Sequence, residues 1–179
     1  MNQPLKQMVQ ADKEAMMRIA LSIGSNTDAA GHIAGALAEL RQQYGEVKIS
    51  PVFESEAIGF SGDNFLNLVV VIETEASLSE LIAFVKRLED RHGRDRAAPR
   101  FSSRTLDIDI LTYGDYQGIH AGIELPRAEI TRNAFVLWPL AEVLGDEVHP
   151  PSGKTYRHLW NEYDKSRQRI WPVDFQWQG

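Results

Sequence analysis

Apolar positions along the chain switch between a period of two and a period near 3.6, and the switches mark the elements. Arg18–Ile23 is a short apolar run closed by Gly24-Ser25-Asn26, which predicts a strand and a turn. Thr27 or Asp28 is placed to cap a helix on which Ile33, Leu37, Leu40 and Tyr44 share one stripe. Gly45 is expected to end that helix in a left-handed conformation. Val47–Glu54 predicts a second strand. Pro51 inside it cannot donate to a ladder, so an edge position or a bulge is expected. A loop over residues 55–64 holds Gly59 and Gly62. Phe65–Thr74 is apolar on both faces, the pattern of a central strand covered on both sides. Ser77 and Glu80 form a capping box for a helix with Leu78, Leu81, Ile82, Val85 and Leu88 inward, stopped at Gly93. After a polar, arginine-rich stretch, Thr105–Leu111 predicts a fourth strand.

The order β-α-β-β-α-β predicts an α+β fold: a ferredoxin-like antiparallel sheet with helices mainly on one face. Residues 115–125 suit a hairpin. Asn133–Leu144 suits a helix, with Pro139 at its start or at a kink. The tail carries Trp160, Trp171, Phe175 and Trp177, so a C-terminal hairpin and helix extension follows the sheet unit, its tryptophans covering a core edge. Without repeats or low-complexity linkers, residues 17–179 are expected to form a single domain behind an N-terminal extension, 1–16. Met16 and Met17 stand just before the first strand, so that extension is either a run ahead of the true start or a short added helix.

Composition narrows the function. The 179 residues are 43% apolar and 25% charged, an ordinary globular balance. A net charge of −6 argues against a general nucleic-acid binder, which needs surplus cation to displace counterions from phosphates. The absence of cysteine excludes disulfides, thiolate zinc sites, iron–sulfur clusters and cysteine nucleophiles, and fits a reducing compartment. No apolar run approaches about 18 residues and the first residues lack an apolar core segment, so a cytoplasmic protein is expected, not a membrane or secreted one.

One segment concentrates chemistry. In Arg104-Thr105-Leu106-Asp107-Ile108-Asp109-Ile110-Leu111, strand alternation puts Leu106, Ile108 and Ile110 on one face and Asp107 and Asp109 on the other. The carboxylates then lie side by side, about 7 Å apart at the backbone, and repel. A hard divalent cation such as Mg²⁺ offsets that repulsion through oxygen ligands and retained waters; a solvent-facing acidic strand is the plainer reading, although Asp is poor in strands. Just upstream, Arg91, Arg94, Arg96, Arg100 and Arg104 give residues 91–104 a net +4 in an otherwise acidic chain. Guanidinium forks bind phosphate oxygens, so the loop reads as a local anion site or as a solvated basic run. Phe65 and Asn67 point the same way in the central strand. An amide beside an aromatic ring suits a flat heterocycle with a mixed polar edge, or a bond to nearby loop backbone. Gly24-Ser25-Asn26 lacks the lysine and spacing of a P-loop, and His32, His92, His120, His149 and His158 show no zinc spacing.

Four segments then occur in order: Ser22-Ile23-Gly24-Ser25-Asn26, Phe65-Leu66-Asn67, Arg104-Thr105-Leu106-Asp107-Ile108-Asp109-Ile110 and Phe135-Val136-Leu137-Trp138-Pro139-Leu140. Together, over about residues 18–160, the chain resembles the 6-hydroxymethyl-7,8-dihydropterin pyrophosphokinases of folate biosynthesis. The resemblance implies transfer of the β,γ-pyrophosphoryl unit of ATP, a co-substrate, to the pterin hydroxymethyl oxygen, releasing AMP, with ATP and a dihydropterin as partners and no nucleic acid or membrane. A monomer is expected. It implies that Asp107 and Asp109 hold two Mg²⁺ ions. Arg94, Arg96, Arg100 and Arg104 would hold phosphates in a loop that closes over ATP, with Arg94 and Arg104 catalytic alongside the two aspartates. Glu89 and Ile110 would belong to the nucleotide site. Asn67 would bond the pterin edge between Phe65 and Phe135, and Ser55 and Ile58 would meet it from their loop.

The chain also departs from the family pattern. Pro126-Arg127 stands where Pro-His is usual, Asn133 replaces an arginine, with Arg132 one place earlier, and Phe101 with Ser102-Ser103 replaces a tryptophan and a Gly-Pro pair. Glu56 and Ala57 replace two prolines. These changes bear on turnover more than on ligand class. The rival readings are a divergent paralogue that binds pterin or nucleotide with little turnover, an RNA-recognition module, and a small-molecule regulatory module of the same topology. An RNA module should show an exposed aromatic pattern on the third strand, which Phe65-Leu66-Asn67-Leu68-Val69-Val70 does not match.

Overall fold

A computed structural model describes residues 16–57, 60–93 and 105–176. Its main sheet is built from β1 (Met17–Ser25), β2 (Lys48–Ile49), β3 (Val52–Ser55), β4 (Phe65–Thr74) and β5 (Asp107–Tyr113). Smaller strands follow, β6 (Gly118–His120), β7 (Ile123–Leu125), β8 (Val148–His149) and β9 (Lys154–Thr155), and then β10 (Ile170–Val173), which rejoins the main sheet. The order across that sheet is β10-β3-β4-β1-β5, with β2 also on β4 and every pairing antiparallel. Helices α1 (Ala29–Tyr44) and α2 (Leu78–Arg91) pack on one face. This is the ferredoxin-like arrangement. The β4 pattern is explained by its place: it lies between β1 and β3, and Leu68, Val69 and Val70 are fully buried.

Opposite α1 and α2, the other sheet face is covered over part of its length by α3 (Ala134–Leu144) and α4 (Tyr156–Glu162). Ala20, Val69, Val71 and Leu111 bury themselves there against Val136, Leu137, Leu140 and Tyr156. The C-terminal extension therefore builds a second core cluster on the opposite face of the sheet. Among the described residues no helix is long and apolar enough to cross a membrane.

Several local expectations change in detail. Val47–Glu54 divides into β2 and β3 at Ser50-Pro51. Pro51 has no N–H for the ladder, and Ser50 fills the gap: its N–H reaches Val69 O and its Oγ accepts the Val69 N–H, both at 2.9 Å. β3 is not an edge strand, because β10 pairs along its outer side. Asp28 precedes α1 but makes no side-chain cap; it sits at φ 48°, and its carbonyl accepts the His32 N–H. Gly45 has φ 82° with ψ −128°, positive as expected but outside the left-handed helical region. Pro139 lies within α3, not at its start; it lacks the N–H that would bond the Phe135 carbonyl one turn back. Ser77 caps α2 as expected, its side chain accepting from the Glu80 N–H at 3.2 Å. The 115–125 hairpin is β6 and β7, and its turn residues Ala121 and Gly122 both have positive φ, as the tightest right-twisting hairpins require.

Candidate active site

Register decides what meets on the sheet face opposite α1 and α2. Phe53 opposes Asn67, Asn67 opposes Gly24, and Gly24 opposes Asp107, so these four residues form one row across β3, β4, β1 and β5. One step along the same face, Ser22 opposes both Val69 and Asp109. One step the other way, Ser55 opposes Phe65. The row thus carries an acidic end on β5 and an aromatic, amide-bearing end on β3 and β4. Asn67 and Asp107 are two strand spacings apart, about 10 Å.

At the acidic end, Asp107 and Asp109 share a face while Ile108 and Ile110 enter the core, as alternation requires. The Asp109 pKa is raised to about 6, by burial first and by the neighbouring Asp107 carboxylate second, with Arg127 opposing the rise. Arg127 Nη2 donates to Asp109 Oδ1 at 3.1 Å and Nε lies 3.6 Å from Glu129. The Arg127 Nε is a buried donor without a hydrogen-bond acceptor. Asp109 still keeps 43% of its side-chain surface open. On the outer edge of β5, the buried Glu89 accepts the Ile108 N–H at 3.0 Å and so holds the strand that presents both aspartates. Two clustered hard-oxygen donors, one driven toward protonation by burial and by the other's charge, are a fit for a divalent cation. Mg²⁺ is such a cation: it keeps waters and takes further oxygens from substrate phosphates.

At the other end, Asn67 is 6% exposed and reaches Ser55 Oγ only at 3.5 Å, the outer limit of a hydrogen bond. Its Oδ1 lies over Gly24, where a Cβ would come within 2.6 Å of it. Only glycine lets the amide lie across β1. Phe65 is half-buried and meets Phe60 edge-on at 6.3 Å. Trp138 on α3 contacts Phe53 at 4.6 Å. Phe135, one turn earlier on the same side of α3, is half-buried. Ser25 and Asn26 brace the open edge: Ser25 Oγ donates to Thr105 O at 2.5 Å and Asn26 Nδ2 to Asp63 O at 3.0 Å.

The sequence-predicted residues therefore fall into three groups. Asp107, Asp109, Phe65, Asn67 and Ser55 converge on one face. Glu89 lies beside the acidic pair as a buried brace, and the Ile110 side chain points into the core on the far face, so a nucleotide could meet only its main chain. Ile58, Arg94, Arg96, Arg100 and Arg104, with Phe101 and Ser102-Ser103, lie outside the described residues. Arg91, counted in the cationic run, belongs to α2 and pairs with Glu39 at 2.7 Å. Two features escape sequence reasoning. Ser22 faces Asp109 across the ladder, signalled by the small residues Ala20, Ser22 and Gly24 alternating on β1. The Arg127–Asp109 contact had no local signal, being 18 residues apart.

Comparison with known proteins identifies the family. The sequence profile of 7,8-dihydro-6-hydroxymethylpterin-pyrophosphokinase matches residues 20–145. The chain belongs to this pyrophosphokinase family. A 2-amino-4-hydroxy-6-hydroxymethyldihydropteridine pyrophosphokinase of Synechocystis is 35% identical over 79% of this chain and 72% of its own length. The namesake protein of Methylorubrum extorquens is 35% identical over 84% of this chain and 96% of its own. A solved Plasmodium falciparum HPPK-DHPS triple mutant shares the fold, with a TM-score of 0.67 at 14% identity over 82% of this chain. This chain spans 41% of that one. The pyrophosphokinase family transfers pyrophosphate to a dihydropterin and uses ATP with Mg²⁺.

Proposed function

We propose that this chain transfers the β,γ-pyrophosphoryl unit of ATP to the hydroxymethyl oxygen of 6-hydroxymethyl-7,8-dihydropterin. The hydroxyl oxygen bonds to the β-phosphorus, the bond from that phosphorus to the α,β-bridging oxygen breaks, AMP leaves, and the hydroxyl proton is released. The observation that carries the reading is the single row Phe53–Asn67–Gly24–Asp107, which sets an amide and a carboxylate about 10 Å apart on one face of the sheet.

Asn67 bonds the polar edge of the pterin, with a donor and an acceptor on one amide. Phe65 and Phe135 flank the ring, Ser55 meets it from the β3 side, and Ile58 contributes a further contact. Gly24 leaves the floor between the two ends clear. Asp107 and Asp109 hold two Mg²⁺ ions. When bound, Mg²⁺ neutralises triphosphate charge and aligns its oxygens for in-line displacement. Glu89 keeps β5 at a fixed height against α2, and Ile110 offers the nucleotide its main chain. Arg94, Arg96, Arg100 and Arg104 hold phosphates and offset charge that grows on the migrating group. Arg127 holds Asp109 oriented and ionised until the cation arrives.

The test is AMP release from ATP, dependent on both the dihydropterin and Mg²⁺. No AMP at high enzyme concentration rejects the assignment. The Arg127–Asp109 ion pair favours a second reading, because a guanidinium on a metal carboxylate competes with the cation. Under it the chain binds pterin and nucleotide but turns over slowly, and calorimetry finds both ligands bound with little AMP formed.

A further inference from the structure

Beyond residue 145, where the family match ends, the chain returns to the heterocycle end of the row. Asn133 precedes α3 without a side-chain cap, and an uncapped helix start leaves N–H groups without partners. Gln168 supplies one: its Oε1 accepts the Ala134 N–H at 2.7 Å, and its Nε2 donates to Asn133 Oδ1 at 3.0 Å. Two residues later the same segment becomes β10, with Ile170 opposite Ser55 and Pro172 opposite Phe53. Two residues span at most about 7 Å. One short stretch therefore grips both the first turn of α3, which carries Phe135, and the end of β3, which carries Ser55. Ser55 lies 3.5 Å from the Asn67 amide, and in the functional reading above Phe135 flanks the same ring.

We propose that Gln168 is a positioning residue for the pterin subsite, setting the separation of Phe135 and Ser55 by capping α3 at the point where β10 begins. The proposal rests on the functional reading above. It explains the departure at Asn133: the side chain found there is held by Gln168 and is not free to face a phosphate. It also predicts selectivity between the two ends of the row, since the contacts described for Gln168 are to α3 and not to β5. β10 has its own anchors, the β3 ladder and Trp171 Nε1 donating to Glu54 Oε2 at 2.9 Å, so loss of Gln168 does not detach the strand.

The experiment compares the full-length chain with Gln168→Leu, which removes both bonds, and Gln168→Glu, which retains the acceptor for Ala134. Steady-state kinetics with the dihydropterin and with MgATP are paired with amide hydrogen exchange over residues 134–137. For Gln168→Leu, the KM for dihydropterin is expected to rise about tenfold. The KM for MgATP should stay within about twofold, and exchange at the start of α3 should quicken. Gln168→Glu should recover most of the pterin affinity. Should Gln168→Leu fail to fold, Asn133→Ala, which breaks only the amide pair, is expected to raise the pterin KM by a smaller factor. An unchanged pterin KM in the folded variants, or a parallel rise in both KM values, overturns the proposal. Absence of pterin binding by the unmodified chain overturns instead the functional reading on which it stands.

Discussion

The two faces of the sheet are written by alternate residues of the same strands, yet they differ in what covers them. On the side of α1 and α2, Ile19, Leu21, Ile23, Leu68, Ile72 and Leu106 are all buried at 0–1% exposure. On the opposite side α3 covers Ala20, Val69 and Val71, and toward β5 the covering thins until Asp107 and Asp109 are only half-buried. There the inward positions become Ser22, Gly24, Asn67, Asp107 and Asp109. A covered face rewards apolar area, about 25 cal/mol per Å² removed from water. An uncovered one does not, so polar and charged groups can be held there at fixed spacing. Repulsion between Asp107 and Asp109 is tolerable for the same reason, because part of the surface stays open to water or to a cation. Both faces hold the fold, and the chemistry is set where packing leaves the second face only partly covered.

Substitutions on each face should separate the two roles. The largest effect is expected for Asp107→Ala or Asp109→Ala: roughly a thousandfold loss of kcat/KM in the AMP-release assay, with the thermal midpoint unchanged or raised because like-charge repulsion is relieved. A fall in stability of equal weight would merge the two faces. Leu68→Ala, on the covered face, should cost about 3 kcal/mol in urea unfolding, while the folded fraction keeps its nucleotide affinity. Gly24→Ala lies between the two ends of the row. Its Cβ would come within 2.6 Å of Asn67 Oδ1, and the displaced amide should lower pterin affinity about thirtyfold, about 2 kcal/mol, with MgATP binding little changed.

The smallest effect is one of pH. Asp109 has its pKa raised from 3.8 to about 6, with burial as the first cause and the Asp107 carboxylate as the second. The folded, metal-free chain therefore holds an extra proton within that window, and its stability falls as pH rises from 3.8 through about 6. A protonated carboxyl is a poor ligand, so apparent Mg²⁺ affinity should drop about tenfold for each unit below about 6 in calorimetric titrations. In Asp109→Asn that slope should vanish.

Local sequence determined the elements and the acidic end of the site. The strand and helix runs of the sheet unit were legible because each follows one period, and Asp107 and Asp109 were legible as a pair because two residues of one strand always share a face. Phe65 with Asn67 was legible on the same ground. Tertiary structure alone decided that Asn67, Gly24 and Asp107 stand in one row, since register across three strands is set by the pairing and not by any strand by itself. It also decided that Arg127 reaches Asp109, and that residues 168–173 return to α3 and β3. Pro172 disguised that last strand, because proline reads as a strand breaker until a neighbour is seen to pair around it. Contacts of this kind join residues far apart in the chain, and their energy comes from shared burial and hydrogen bonds that exist only once the layers have packed.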